Sequence, residues 1–288
     1  MVYIIMMNLI IISLFFRFSM AMDPVKKLTC SLPTFKKLVV DRTTLNEYSI
    51  KEYSKLFPDK VKKPAIYMYP AGLRGYYNLG VACYLKQNHN LDDYIICGAS
   101  AGAWNSLVMA YKGNSMNFCT KILRNIKEEC KASTIYDQQL FLQNYFIDNY
   151  KISDFHLNNT YLSVCIKENE KTQFSTHLYT NFKTMKDITS CCLASSNIPL
   201  ITGPKSFYYD GFYAIDGGFN PKPFFDKIKP TLEIRYDMWD RKEKEIPPTT
   251  MFYALQDLDI EKSFFMGVND CYANEKYIDK LFHKRDNI

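Results

Sequence analysis

Residues that build metal sites and disulfide frameworks are scarce or badly spaced in this sequence. Histidine occurs only four times in 288 residues, and no two histidines stand at the spacing of zinc ligands. The nine cysteines form no C-x-x-C pair and their number is odd, which favours reduced thiols over a disulfide framework. A calcium-binding loop of the D-x-D-x-D-G type is also missing. We therefore predict that the protein uses neither a metal nor another cofactor.

Glycine is scarce as well, with 11 residues, but the overall composition is that of a globular protein. Hydrophobic residues make up 47% of the chain and charged residues 23%, which excludes a disordered chain. The sequence contains neither internal repeats nor low-complexity linkers. A chain of 288 residues can bury the core of one large α/β domain, so a second domain is not required.

The positive charge is concentrated near the N-terminus. Residues 24–63 contain ten Lys or Arg and four Asp or Glu, and this excess of six equals the net charge of +6 of the whole chain. A basic segment ahead of a neutral body favours an anionic membrane surface over a nucleic acid as partner, so we expect no nucleic-acid binding. A solvated charged tail would produce the same pattern. The sequence carries no signal for an oligomeric state.

The first 22 residues form a hydrophobic segment that has three interpretations. Residues 2–16 are mostly apolar, and the length of this run is that of a signal-peptide core. Ser19-Met20-Ala21, just after the run, resembles a cleavage site. Positive charges follow the apolar run and none precedes it, which favours an uncleaved anchor with the body in the cytosol. Translation starting at Met20 or Met22 would remove the segment. If the segment acts as a signal peptide or as an anchor, we expect the protein to be associated with a membrane. It would then be either secreted or held on the cytosolic face.

The remaining chain alternates between strand and helix patterns. Two strand–turn–helix units follow each other directly, which predicts the start of a parallel sheet in an α/β domain. The predicted strands are residues 65–69, 94–97, 161–166, 173–179, 213–215 and 232–236. The predicted helices are residues 76–87, 101–111, 117–130, 137–149, 185–195 and 260–283. We divide the chain into a hydrophobic signal or anchor segment 1–22, a basic leader 23–63 and one domain, 64–288.

The pentapeptide Gly98-Ala99-Ser100-Ala101-Gly102 lies between a predicted strand and a predicted helix. A sharp turn at this point places the serine at the tip of a strained bend with its oxygen exposed. Gly98 and Gly102 leave room for the close backbone approach, and the N-terminus of the new helix points its amides at the group that the serine attacks. This arrangement is typical of a nucleophile used for acyl transfer.

Two further motifs flank the pentapeptide in the sequence. Gly72-Leu73-Arg74-Gly75 forms a turn between the first predicted strand and helix, and Asp216-Gly217-Gly218 follows a predicted strand. Taken alone, the Gly72 turn is more often a tight connection between a strand and a helix, and the Asp216 turn is more often a hairpin or loop. In this order and spacing, the three motifs resemble those of the patatin-like phospholipase family over residues 64–284. Residues 74–82 are similar to the adiponutrin and triglyceride-lipase branch, and residues 194–199 are similar to the helix and loop ahead of the family's aspartate.

The resemblance implies a three-layer α/β/α fold with a mainly parallel central sheet and a catalytic domain over residues 64–288. It also implies that Ser100 is the nucleophile and that Asp216 accepts its proton without an intervening histidine. An acyl-enzyme would form on Ser100 and be hydrolysed by water, releasing a fatty acid from a phospholipid or acylglycerol at a membrane or lipid-droplet surface. The motif glycines would be Gly98, Gly102, Gly217 and Gly218, and the oxyanion hole would comprise Gly72, Leu73, Arg74 and Gly75.

Burial would make Asp216 a better base, because removing a carboxylate from water raises its pKa. The apolar neighbours Tyr213, Ile215 and Phe219 predict such burial. Arg74 would either point inward and support the oxyanion or form a salt bridge at the turn.

Two alternatives follow from departures in the sequence. Pro70 and Ala71 stand where the family usually has glycines, and proline lacks an amide donor. Each oxyanion donor contributes a factor of roughly 10²–10³ in rate, so a lipid-surface-binding protein with little hydrolytic activity is one alternative. An α/β-hydrolase with a Ser-Asp-His triad is the other, and His283 would be its base. The place of His283 near the end of a predicted amphipathic helix is more typical of a surface histidine.

Overall fold

The computed structural model describes residues 36–41, 63–132, 134–167, 173–220, 229–239 and 258–282. These residues all belong to one unit of the chain, residues 34–288. The hydrophobic segment 1–22, most of the basic leader and His283 lie outside the described residues. The division of the chain into three segments therefore stays a prediction.

The described residues form one eight-stranded sheet with α-helices packed against it. The strands are β1 (Lys36–Asp41), β2 (Ala65–Met68), β3 (Ile95–Ala99), β4 (Thr160–Lys167), β5 (Ser175–Thr180), β6 (Tyr208–Tyr209), β7 (Phe212–Asp216) and β8 (Leu232–Ile234). The α-helices are α1 (Gly75–Asn88), α2 (Ala101–Ala110), α3 (Ser115–Glu128), α4 (Ile135–Asn149), α5 (Met185–Ser195), α6 (Ile260–Ala273) and α7 (Glu275–Leu281). Short 3₁₀ turns cover Gly72–Arg74, Ile152–Asp154 and Gly217–Phe219.

The sheet is mainly parallel along its central path. The strand order is β1-β5-β4-β3-β2-β8, and β7 pairs with β4 and carries β6 on its other side. Neighbours β2 and β3, β3 and β4, β2 and β8, and β1 and β5 are parallel, whereas β4 pairs antiparallel with β5 and β7. The predicted α/β class with a mainly parallel central sheet is confirmed.

Both faces of the central strands are buried, as a three-layer α/β/α arrangement requires. In β2, Ile66 and Met68 belong to the large core beneath the helices, and Ala65 and Tyr67 belong to a smaller cluster on the opposite face. All four side chains are completely buried. The continuous apolar sequence of β2, without a polar residue at alternate positions, reflects this burial on both sides.

The predicted helix over residues 260–283 is wrong in one respect, because the chain forms two helices there. Asn274 separates α6 from α7 and takes no part in either helix. Its side-chain Nδ2 donates to the Asp270 carbonyl oxygen at 2.8 Å, and its amide donates to the same oxygen at 3.0 Å. Asparagine competes with the helix in this way through its short polar side chain, so hydrophobic periodicity alone did not reveal the break.

Two strands were not predicted from the sequence. β1 lies within the segment interpreted as a basic leader and pairs in parallel with β5. β6 has only two residues and pairs with β7 across a turn at Asp210 and Gly211, both of which have positive φ. Among the described helices, none combines the length and the hydrophobicity needed to cross a membrane.

Helices α1 and α6 pack closely because each contributes a glycine to the crossing. A Cβ atom at Gly80 of α1 would overlap the Phe264 carbonyl oxygen, and one at Gly267 of α6 would overlap the Tyr77 carbonyl oxygen. The Tyr77 hydroxyl also donates to the Asp270 carboxylate at 2.6 Å. This contact and the glycine crossing hold α1, whose first residue belongs to the Gly72–Gly75 turn, against α6.

We expect Gly80→Ala and Gly267→Ala each to lower the free energy of unfolding by about 1–3 kcal/mol, because the added methyl group meets backbone atoms that cannot move separately. Denaturant unfolding measures the change. Asn269→Ala, at an exposed position of α6, is the matched control and should not destabilise the protein. An unchanged free energy of unfolding in both glycine variants would contradict the close crossing.

Candidate active site

Ser100 occupies the turn between β3 and α2 that the sequence predicted for it. Its backbone has φ 56° and ψ −128°, in the left-handed half of conformational space that a non-glycine residue rarely adopts. A Cβ atom at Gly98 would overlap the Gly102 carbonyl oxygen, and one at Gly102 would overlap the carbonyl oxygen of Met68 in β2. The two glycines therefore allow the strained turn to lie directly against the neighbouring strand.

The Ser100 side chain is less exposed than the sequence suggested, with 8% of the residue accessible to solvent. The reason is the close packing of the other two motifs around the turn. Gly75, at the start of α1, lies so close that an added Cβ atom would be 2.6 Å from the Ala101 Cβ. On another side the Ser100 side chain lies close enough to the Asp216 carboxylate to stabilise its charged form.

Asp216 is the last residue of β7, and it meets Ser100 because of the sheet topology. β7 pairs antiparallel with β4, β4 pairs in parallel with β3, and Ser100 follows the last residue of β3. Asp216 is 4% exposed. Its Oδ1 accepts a hydrogen bond from the Gly218 amide at 2.6 Å, within the 3₁₀ turn Gly217–Phe219. The sheet thus joins two sequence motifs that are far apart along the chain.

Burial raises the pKa of Asp216 to about 6 from its ordinary value of 3.8. The Ser100 side chain and the Gly218 amide stabilise the carboxylate and lower the pKa, but the loss of water has the larger effect. A carboxylate with a pKa near neutrality accepts a proton more readily than an exposed one and is still ionised at pH 7.

The neighbours predicted to bury Asp216 are the wrong ones. Tyr213, Ile215 and Phe219 are only half-buried. Successive residues of a strand point to opposite faces, so Tyr213 and Ile215 point away from the face that carries Asp216. Ala214 shares that face and is completely buried.

The Gly72–Gly75 turn, which packs against the start of α2 through Gly75, has two free amides. Gly72 has φ 53°, which glycine adopts without strain. The Arg74 amide donates to the Ala71 carbonyl oxygen at 3.1 Å, and the Gly75 amide donates to the Gly72 and Leu73 carbonyl oxygens. Within the described part of the chain, the amides of Gly72 and Leu73 have no acceptor. These two amides can bind an anion, whereas those of Arg74 and Gly75 are already occupied.

Pro70 connects the first motif to the third. A Cβ atom at Gly218 would lie 2.6 Å from the Pro70 Cβ, so the proline ring packs directly on the Asp216-Gly217-Gly218 turn. Gly217 is equally constrained, because its Cβ would overlap the carbonyl oxygen of Ser163 in β4. The departure at Pro70 removes one amide donor but supplies a packing contact between two motifs.

Arg74 is buried beside the same turn, with 6% of the residue exposed. Its guanidinium carbon lies 4.1 Å from the centre of the Tyr236 ring, a cation–π contact. In the described residues no carboxylate pairs with Arg74, and its Nε has no hydrogen-bond partner. Of the two expectations for this side chain, the salt bridge at the turn is therefore not formed among the described residues, and the Arg74 guanidinium lies beside the turn on the Tyr236 ring.

Two residues without a predicted role contact the site: Ser195 bonds to Ser100, and Asn197 bonds to Asp216. The Ser195 hydroxyl accepts a hydrogen bond from the Ser100 amide at 2.9 Å. The Asn197 carbonyl oxygen accepts one from the Asp216 amide at 2.8 Å. The only signal in the sequence was the similarity of residues 194–199 to a family segment, which did not identify these bonds.

Histidines and metal ligands do not assemble around the site in the described residues. His89 contacts Asp279 at 3.1 Å, and His177 contacts Ser175 at 2.9 Å in β5. Burial lowers the pKa of His177 to about 3, so this imidazole is neutral. In the same part of the chain, no three His, Cys, Asp or Glu side chains lie together as a metal site would require.

Comparisons with known proteins agree with the geometry. A family model described as patatin-like phospholipase matches residues 71–226, which include all three motifs. Human patatin-like phospholipase domain-containing protein 4 is 28% identical over 156 residues, an alignment that covers 51% of this chain and 61% of the human protein. The chain thus spans less than two thirds of the length of this curated relative.

The raised pKa of Asp216 predicts a pH-dependent cost in stability. Because the folded protein holds this proton up to about pH 6 and the unfolded chain releases it at lower pH, the free energy of unfolding falls as pH rises between the two values. Asp216→Asn cannot ionise, so we expect it to gain stability relative to the wild type at about pH 8 and not at about pH 4. Thermal unfolding at both pH values measures this difference, with Asp93→Asn at an exposed site as control. An equal effect at both pH values would contradict the buried carboxylate.

Proposed function

The chain belongs to the patatin-like phospholipase family, and on that premise we propose that it is a serine lipid acyl hydrolase. Its substrate would be a long-chain acyl ester in a phospholipid or an acylglycerol, and its product a free fatty acid. The observation that carries the proposal is the proximity of the Ser100 side chain to a buried Asp216 carboxylate, where the three motifs pack together. A nucleophile placed beside a base is the minimum that acyl transfer requires.

In the first half of the reaction, Ser100 attacks the ester carbonyl carbon while Asp216 takes the hydroxyl proton. The carbonyl oxygen becomes an oxyanion, and the free amides of Gly72 and Leu73 donate hydrogen bonds to it. The tetrahedral intermediate then expels the alcohol, which leaves with the proton from Asp216. The acyl group remains on the Ser100 oxygen as an ester.

In the second half, water replaces the alcohol. Asp216 takes a proton from the water molecule, whose oxygen attacks the acyl carbon, and the same amides hold the second oxyanion. Collapse of this intermediate releases the fatty acid, and the proton on Asp216 returns to Ser100. The enzyme is restored with one ester bond cleaved and one water molecule consumed.

The local electrostatic field favours the negative charge that develops in both steps. Helices α1 and α2 both begin at the site, and neither has an acidic residue in its first turn. Their N-termini therefore direct positive ends of the helix dipoles at the oxyanion, and the buried Arg74 adds a positive charge close by. Since Pro70 contributes no amide, we expect turnover to depend strongly on the Gly72 and Leu73 donors.

We also propose that the protein acts at a lipid surface, either a membrane or a lipid droplet. The support is the excess of six positive charges over residues 24–63 and the hydrophobic segment 1–22, both features of the sequence. Anionic lipid attracts such a basic segment, and the attraction weakens with salt.

We expect Ser100→Ala and Asp216→Asn each to lower fatty-acid release by a factor of about 10³ or more, since one removes the nucleophile and the other its base. Release is measured on a panel of phospholipid vesicles and acylglycerol emulsions. His283→Ala is the discriminating control, because it should retain activity with a dyad and lose it with a triad. Variants at Ser100 and Asp216 that match the wild type would refute the proposed site.

A fluorophosphonate that reacts with serine nucleophiles separates hydrolysis from simple lipid binding. Labelling of wild-type Ser100 supports the enzyme. Vesicle binding without fatty-acid release and without labelling would favour the alternative of a lipid-surface-binding protein. That alternative follows from Pro70, which lacks the amide donor of the family's usual glycine.

The pKa of Asp216 predicts the pH dependence of the reaction. The base must be ionised to accept a proton, and its pKa in the free protein is about 6. We therefore expect kcat/KM to fall about tenfold per pH unit below that value and to level off above it. Initial rates on vesicles between about pH 4.5 and pH 8 test this, with protein stability checked at each pH. A flat profile through pH 6 would contradict Asp216 as the base.

A further inference from the structure

Ser195, at the C-terminal end of α5, is a completely buried serine in contact with the turn that carries Ser100. We infer that Ser195 is a positioning residue whose hydroxyl holds the strained Ser100 turn in its reactive conformation. This inference rests on the proposed function, because it assigns a role in orienting the nucleophile of that reaction. Ser195 itself contacts backbone atoms and not the reacting atoms.

Two hydrogen bonds determine how the Ser195 hydroxyl is oriented. It donates its single proton to the Ser163 carbonyl oxygen at 2.7 Å and accepts from the Ser100 amide at 2.9 Å. The hydroxyl has only one proton, and that proton is donated to the Ser163 carbonyl oxygen. The lone pairs of the hydroxyl oxygen then accept the hydrogen bond from the Ser100 amide. Because Ser163 pairs with Ala99 in the parallel β3–β4 register, the hydroxyl links the turn to the strand beside it.

The Ser100 turn needs such a partner for two reasons. A positive φ at a non-glycine residue is strained by about 1 kcal/mol or more and persists only where the surroundings impose it. The same conformation directs the Ser100 amide into the protein, where an amide without an acceptor would be costly. Ser195 satisfies this amide at the residue where the strain lies.

The same segment also holds the base. Asn197, two residues after Ser195, accepts the Asp216 amide on its carbonyl oxygen at 2.8 Å, and its Nδ2 donates to the Ala214 carbonyl oxygen at 2.9 Å. Asn197 is 1% exposed. A short stretch of chain thus bonds to the backbone of the nucleophile at one end and to the strand of the base at the other.

We expect Ser195→Ala to lower kcat about 10- to 100-fold with little change in KM, because it misplaces the nucleophile without touching the lipid. Ser195→Thr keeps the hydroxyl and should recover most of the kcat. Ser115→Ala is the matched control, because Ser115 lies in α3 and is 1% exposed. The substitution removes the hydrogen bond that the Ser115 hydroxyl donates to the Cys83 carbonyl oxygen. It should lose a similar amount of thermal stability while kcat remains at the wild-type value.

Amide hydrogen exchange over residues 98–102 tests the inference independently of lipid hydrolysis. We expect faster exchange in Ser195→Ala and unchanged exchange in Ser115→Ala, together with slower fluorophosphonate labelling of Ser100 in the first variant only. A wild-type protein that releases no fatty acid would overturn the proposed function, and exchange would still decide the role of Ser195. Wild-type kcat and wild-type exchange in Ser195→Ala would overturn the inference alone.

Discussion

A carboxylate loses most of its hydration when it is buried, and Asp216 recovers only part of that loss through the Gly218 amide and the nearby Ser100 side chain. The protein accepts this cost at the end of β7, where the sheet holds the carboxylate against the serine turn. The same burial makes the group a stronger base than an exposed carboxylate. The hydrogen bonds of Ser195 and Asn197 hold the backbones of Ser100 and Asp216 around this buried carboxylate.

Close backbone packing is what brings these groups together. Six of the 11 glycines belong to the three motifs, and side chains at Gly98, Gly102 and Gly217 would overlap neighbouring backbone atoms. Gly75 and Gly218 bring the other turns against Ala101 and Pro70 in the same way. In a chain with so little glycine, this distribution marks the places where backbone segments must approach closely. The motifs are therefore packing requirements as much as chemical ones.

Prediction from the sequence succeeded where local patterns dominate. The apolar run at residues 65–69 corresponds to β2, and the pattern at 185–195 matches α5, because burial on both sides of a strand and helical periodicity are visible locally. It failed where a polar side chain competes with the helix, as at Asn274, and where strand alternation matters, as at Tyr213 and Ile215 beside Asp216. β1, at the edge of the sheet, also escaped prediction, since its pairing with β5 depends on a distant segment.

The sequence by itself determined the α/β class, the three motifs and the identities of Ser100 and Asp216 as candidates, because each is written in neighbouring residues. Only the tertiary structure decided which amides remain free at the Gly72 turn and which group the Arg74 guanidinium contacts. It also decided that Ser195 bonds to Ser100 and Asn197 to Asp216. These are properties of hydrogen bonds between segments brought together by the sheet. An amide bonds to an acceptor only when the two atoms lie within hydrogen-bonding distance. For residues far apart in the chain, tertiary packing determines that distance.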